Sequence, residues 1–209
     1  MIFYDCSTAP SPRRARMFIA EKGVEIETRN IDMSKAEQLS PEFLAVNPRA
    51  TVPTFITKDG QVLGENIAIA TYLEDVFPDP PLMGGGAEEK ASVMMWNAMS
   101  EFHGGMAIAE ALRNAHPAMK GRALPGPENY EQIQALAERG HARVGVFFDM
   151  LEQRLQESPY LASGRFTFAD ITAFVFCDFA RVIKRKLPDE HTAARDWFAR
   201  IQERPSAKL

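Results

Sequence analysis

Ser11 and Pro12, within the stretch STAPSPRRARMFIAEKG from Ser7 to Gly23, are residue types that open a helix in that order. The serine fits an N-cap and the proline the first helical position, where its missing N–H costs nothing. The first N–H groups of a helix have no partners inside it, so such an end holds an anion readily. Pro10 and Pro12 withdraw two donors, which leaves the N–H groups of Ser11, Arg13 and Arg14 and the Ser11 hydroxyl. A second end of this kind is expected at Glu65 and Asn66, with Asn66 as N-cap and Glu65 a solvated carboxylate beside it. Further along, Trp96, Ser100, His103, Ala107 and Asn114 recur at spacings of three, four or seven, and so share one helix face. His116, just beyond, suits either a cap on that helix's last carbonyls or a proton carrier that orients a water. His103, His116, His141 and His191 show no HExxH-like spacing, and Cys6 and Cys177 no metal or redox spacing, so no metal site is expected.

These residues must be held by elements that the local patterns outline. Residues 2–6 read as a short buried strand, Ala15, Phe18 and Ile19 recur at helical spacing, and Gly23 is placed to end that helix. VEIET alternates with period two, so a second strand follows from Val24. A polar connection, Asp32 to Pro48, leads to the strand TVPTFIT, the hairpin turn KDGQ and a partner strand VLG. An amphipathic helix then runs from Asn66 to Phe77. A helix between the first two strands implies that they pair in parallel, whereas the hairpin is antiparallel. A small mixed sheet with helices packed on it is the expected result.

Composition changes after residue 78. PDPPLMGGG, Pro78 to Gly86, is dense in breakers and reads as a linker, and beyond it strand patterns give way to helical ones. Long helices are expected over Glu88–Asn114 and Glu131–Glu157. Thr167 to Asp170 resembles a capping box with Asp in place of Glu, so Asp170 is read as structural rather than catalytic. A short helix carrying Trp197 and Phe198 closes the pattern. The class is α/β plus all-α, with a first domain over 1–78, a linker over 79–86 and a helical domain over 87–209. A net charge of −4 gives no electrostatic case for nucleic acid or an anionic membrane as partner. No apolar run is long enough to span a bilayer, and the start MIFYDCSTAP lacks a signal peptide's basic region and apolar core, so a cytoplasmic protein is expected.

Four motifs in one order carry a family resemblance: PSPRRARMFIAEKG, NPRATVPTF, GENIAIATYL and SGRFTFADITAF. Together they resemble the cytosolic glutathione transferases over almost the whole chain. The nearest match is a fungal and bacterial subgroup that lacks the usual catalytic Tyr, Ser or Cys. The resemblance implies a thioredoxin-like first domain, glutathione as co-substrate, a small electrophile as second substrate and a homodimer. By frequency alone the Val52–Pro53 bond would be trans; the resemblance makes it cis, turning the Val52 backbone toward the cysteinyl backbone of glutathione. It gives Glu65 the α-ammonium of the γ-glutamyl group and gives Asn66, in place of a serine, its carboxylate; Arg14 joins the same binding set. Lys35, Gln38 and Arg49 are candidates for the glycine end. Ser100, His103 and Asn114 would line the electrophile pocket of the second domain.

Ala9 stands where the family's serine- and cysteine-type members place the residue that activates sulfur. Tyr4 lies inside the first strand and reads as core, and Cys6 comes too early for a thiol at the helix start. The site can work without such a side chain. A free thiol has a pKa near ~8.5, and lowering it by two units takes ~2.7 kcal/mol. A helix N-terminus supplies up to ~2 kcal/mol, and one hydrogen bond to a charged acceptor roughly 1.5–3 kcal/mol. The Ser11 helix end with one hydroxyl or an ordered water, the latter held by His116, could suffice. The reading is a glutathione transferase acting on small electrophiles, of the kind used in detoxification. The alternatives are a glutathione-dependent isomerase, dehalogenase or peroxidase on the same scaffold, or a non-catalytic glutathione-binding module.

Overall fold

The computed structural model describes residues 1–209. The chain divides into two compact units, one of Met1–Pro80 with Pro125–Asn129 and Leu209, the other of Pro81–Leu124 with Tyr130–Lys208. In the first unit β1 (Ile2–Asp5), α1 (Pro10–Glu21), β2 (Glu27–Asn30), α2 (Pro41–Val46), β3 (Thr54–Ile56), β4 (Val62–Leu63) and α3 (Asn66–Val76) follow in order. The sheet runs β2-β1-β3-β4. β1 pairs in parallel with β2, Tyr4 opposite Arg29, and antiparallel with β3, Phe3 opposite Phe55; β3 and β4 form the antiparallel hairpin. This is the small mixed sheet that the crossover and hairpin patterns predict, in the thioredoxin-like form that the resemblance implies.

Alternation along β1 sends its side chains to opposite faces. Tyr4 packs with Ile31 and Phe43 in the cluster under α2, its ring edge-on to Phe43 at 5.6 Å. Phe55 meets Tyr72 of α3 on the other face, at 5.9 Å between rings. Tyr4 is thus core, and its hydroxyl accepts from Arg29 at 3.2 Å. Two features differ from the sequence reading. β2 begins at Glu27 rather than Val24 and is exposed throughout, because it is an edge strand whose pairing, not its burial, defines it. Within the polar connection the chain forms α2, whose N-cap Ser40 accepts from Phe43 N–H at 3.2 Å with Pro41 next in line. That Ser-Pro signal was present in the sequence.

The second unit is all helical: α4 (Ala87–Ser100), α5 (Met106–Arg113), α6 (Gln134–Glu157), α7 (Phe168–Phe179) and α8 (Thr192–Gln202). The breaker-rich segment before α4 is packed, with Leu82 and Met83 buried and Leu82 C=O accepting from Phe168 N–H at 2.9 Å. The helix expected over 88–114 is interrupted by a π-helical turn, Glu101–Gly105, that separates α4 from α5. The Phe147 and Phe176 rings lie against Gly104 and Gly105, where a Cβ would come within 2.7 and 2.5 Å of them. Arg143 donates to the Phe102 carbonyl in that turn and lies over the Phe102 ring.

α6 starts at Gln134 rather than Glu131, because Gln132 donates to the carbonyls of Arg113 and His116 and Ile133 N–H donates to Asn114 Oδ1. The capping box forms as read. Fully buried Asp170 accepts from Thr167 N–H and Oγ1, from Leu161 N–H and from Trp197 Nε1, all at 2.9–3.0 Å. Burial pushes its carboxyl above the ordinary range, against the pull of these four donors.

Candidate functional site

Asp5, at the end of β1, fixes how α1 begins. Its Oδ1 accepts from Cys6 N–H at 2.7 Å, and Arg16 Nη1 donates to both carboxylate oxygens, at 2.6 and 2.7 Å. The turn that follows closes with Ala9 N–H on the Cys6 carbonyl at 3.0 Å, and α1 starts at Pro10 with Ala9 as an extended N-cap. The helix therefore opens two residues before the place the sequence suggested, since Pro10 suits the first position as well as Pro12 does. Ser11 is inside the first turn and is not the N-cap. Arg13 and Arg14 N–H groups belong to the helical ladder, not to the free end. With Ala9 N–H already paired and two prolines in the turn, Ser11 N–H is the donor left at this end.

α3 shows the same kind of shift. Glu65, extended and exposed, is the N-cap, and Asn66 is the first helical residue. Asn66 does not cap its own helix because its amide turns toward α1, where Nδ2 donates to Ser11 Oγ at 2.9 Å. The N–H groups of Asn66, Ile67 and Ala68 have no acceptor in the chain. Two helix N-termini, from residues 55 positions apart, thus converge on one hydrogen bond. Each carries about half a positive charge. Such a pair of ends suits a ligand with two negative groups, and the exposed Glu65 carboxylate at its edge suits a cation on the same ligand.

The third side comes from the loop before β3. The Val52–Pro53 bond is cis. Val52 is half-buried, and neither its N–H nor its C=O is used by the chain, so both can pair with an extended peptide. Asn47, which the sequence reading left without a role, organises this loop. It is 4% exposed; its Nδ2 lies 3.0 Å from Thr51 O, 3.2 Å from Thr51 Oγ1 and 2.9 Å from Thr54 Oγ1, and its Oδ1 accepts from Arg49 N–H at 3.1 Å. An Asn five residues before the Val of a Val-Pro pair was the signal available. Of the remaining expected ligands in this unit, Arg14 is buried at 4% exposure, Gln38 is buried, Arg49 is exposed and Lys35 is exposed and paired with Asp32 at 3.3 Å. Cys6 is buried, its Sγ 3.5 Å from Thr8 Oγ1.

In the helical unit the shared face of Trp96, Ser100, Ala107 and Asn114 exists, but it is turned into the packing and closed to solvent. Asn114 spends its amide on backbone, donating to Glu110 O at 3.1 Å and accepting from Ile133 N–H at 3.0 Å. Ser100 is fully buried. His103 is half-buried in the π-helical turn, edge-on to Phe102 at 5.0 Å. His116 is exposed and does not cap the helix before it: its Nδ1 accepts from Ala118 N–H at 3.2 Å and caps the following turn, leaving Nε2 open.

Two family models match this chain, the glutathione S-transferase N-terminal domain over residues 8–76 and the glutathione S-transferase C-terminal domain over residues 103–205. The chain belongs to the glutathione S-transferase family. Glutathione S-transferase 2 of Saccharomyces cerevisiae is 34% identical over 212 residues, covering 100% of this chain and 88% of that protein. The crystal structure of Gtt2 from the same yeast superposes with a TM-score of 0.86 at 31% identity, covering 100% of this chain and 99% of the other. A glutathione S-transferase domain-containing protein of Marinobacter aquaeolei gives 0.85 at 31% identity, with 99% of each chain covered. As a glutathione S-transferase, the chain takes glutathione as co-substrate, and the residues present suit it. The tripeptide's carboxylate and thiolate match two converging helix ends, its ammonium matches Glu65, and its peptide backbone matches the free groups of Val52.

Proposed function

We propose that this transferase conjugates the glutathione thiolate to small, mostly apolar electrophiles. The observation that carries the reading is the convergence of the two helix N-termini at Ser11 and Asn66, beside an exposed carboxylate and an unused backbone pair. Val52, Pro53, Glu65 and Asn66 bind the tripeptide, and the α1 end holds its sulfur through the Ser11 N–H and hydroxyl. A helix end worth up to ~2 kcal/mol in a partly buried setting and a charged hydrogen bond of roughly 1.5–3 kcal/mol together cover the ~2.7 kcal/mol for a two-unit fall in thiol pKa. The thiol proton leaves to solvent. The sulfur lone pair then forms the S–C bond as the leaving group departs with its bonding pair, and the enzyme forms no covalent intermediate. His103 and His116, whose side chains are not closed within the helical unit, are proposed to meet the electrophile or its water.

The active form is proposed to be a homodimer. Support comes from an outward stripe on α4, the π-helical turn and α5: Ala91, Met95, Ala98, Phe102 and Met106 recur at intervals of three or four, and the large ones are 50–59% exposed. A cytoplasmic, detoxifying role is proposed with it. The test is a spectroscopic titration of protein-bound glutathione, following thiolate absorbance against pH, together with turnover of a chlorodinitrobenzene. A bound thiol well below its free pKa with turnover is expected. Binding with an unshifted thiol and no turnover would leave a glutathione-binding module instead.

A further inference from the structure

The hydrogen bond that joins the two helix starts has a direction. Asn66 Nδ2 donates and Ser11 Oγ accepts, at 2.9 Å. The Asn66 side chain has no other partner: the residue is 4% exposed and its Oδ1 is buried without a donor. A buried amide held by a single bond is a poor source of stability, since its orphan oxygen has given up water for nothing. The bond therefore asks for another reason. On the Ser11 side, the hydroxyl has accepted and donates to no group of the chain. A hydroxyl that accepts an N–H keeps its own proton for a third group, and the chain of two hydrogen bonds polarises in that direction. Ser11 N–H, also unpaired, is on the same residue.

We propose that Asn66 is a positioning residue for thiol activation: its amide fixes the Ser11 hydroxyl as a donor, so that hydroxyl and Ser11 N–H face the sulfur of bound glutathione together. This rests on the reading of the site given above. It assigns the work of the missing side chain at Ala9 to a pair from two helices, Ser11 of α1 acting on the sulfur and Asn66 of α3 acting through Ser11. The amide's neutrality matters. A carboxylate at position 66 would accept the hydroxyl's hydrogen bond, turning that donor away from the sulfur, and would add a negative charge beside the thiolate. Glu65, Arg13 and Arg14 at the two helix starts, with the Asp5–Arg16 pair and the Cys6 thiol in the turn before α1, are the ionisable side chains there, and they stay unchanged in every variant below.

The experiment is the same thiolate titration of bound glutathione, at saturating glutathione, in the wild type and in Ser11→Ala, Ser11→Thr, Asn66→Ala, Asn66→Asp and the double variant Ser11→Ala/Asn66→Ala. Ser11→Ala is expected to raise the bound thiol's pKa by about one to two units, and Ser11→Thr, which keeps the hydroxyl, to restore most of it. Asn66→Ala is expected to raise it by a similar amount, Asn66→Asp by more, and the double variant by no more than Ser11→Ala alone. The positioning role is overturned if Ser11→Ala leaves the bound thiol unmoved. It is equally overturned if Asn66→Ala weakens glutathione binding without shifting the thiol, or if the two shifts add. A wild type that binds no glutathione would remove the underlying reading as well, whereas a wild type with a lowered thiol pKa indifferent to Ser11 removes the positioning role alone.

Discussion

Glu89 stands in the first turn of α4 and meets Arg165 through two hydrogen bonds, at 2.8 and 2.6 Å, while its Oε2 accepts from Gly85 N–H at 2.7 Å. The Arg165 guanidinium first, and the Gly85 N–H after it, hold the carboxyl down to about 2 from an ordinary 4.5. The unfolded chain therefore binds the proton more tightly than the fold does. The contribution to stability is complete above the unfolded value and is lost as pH falls from 4.5 toward 2. With side-chain exposures of 40% for Arg165 and 22% for Glu89, solvent screens the pair and keeps the effect modest. Glu89→Gln should lower the melting temperature at pH 7, and the gap to the wild type should narrow as pH is taken toward 3. A gap that stays constant across thermal melts in that range would mean that the charge is not its source. Asn47 makes a similar point without charge: one buried side chain sets the loop that presents Val52.

At the scale of elements, α6 carries two glycines that should respond oppositely to alanine. A Cβ at Gly140 would lie 2.6 Å from both Ala107 O and Ala111 N, backbone atoms of α5 that no rotamer change can move. At Gly145 the nearest atom is the end of the Arg185 side chain, 3.5 Å away. Alanine is worth up to ~1 kcal/mol over glycine inside a helix, and overpacking a close helix contact costs about 1–3 kcal/mol. Gly145→Ala should therefore stabilise by up to ~1 kcal/mol, and Gly140→Ala should destabilise by about 1–2 kcal/mol net. Denaturant unfolding followed by circular dichroism measures both, and equal effects would show that α5 and α6 do not approach as closely as described. The same close approach is found in the π-helical turn, where the Phe147 and Phe176 rings fill the room that Gly104 and Gly105 leave.

At the scale of the whole molecule, the apolar stripe of Met95, Phe102 and Met106 is the test of self-association. A second copy laid on that stripe would remove side chains that are each half or more exposed, at roughly 25 cal/mol for each Å² of apolar surface. Phe102→Glu should shift the protein from dimer to monomer in sedimentation velocity, while far-ultraviolet circular dichroism stays unchanged because Phe102 is 59% exposed in one chain. A monomeric wild type would dismiss the dimer and leave the glutathione site described above intact. No helix of the structure is long and apolar enough to cross a membrane.

What neighbouring residues can specify was legible in the chain before its fold was known. Period-two and period-3.6 patterns, a crossover length and a hairpin turn were enough for the order of elements and for parallel β1–β2 and antiparallel β3–β4 pairing. Thr167 and Asp170, three residues apart, were enough for the capping box. Tertiary structure alone decided which of two prolines opens α1, because that depends on where Asp5 and Arg16 hold the preceding turn. It also decided that Ser100 and Asn114 are enclosed rather than offered to a ligand, because a periodic face says that residues point together but not at what. The Ser11–Asn66 bond was illegible for the plainest reason: its partners are 55 residues apart, and only the packing of α1 beside α3 brings them within 2.9 Å.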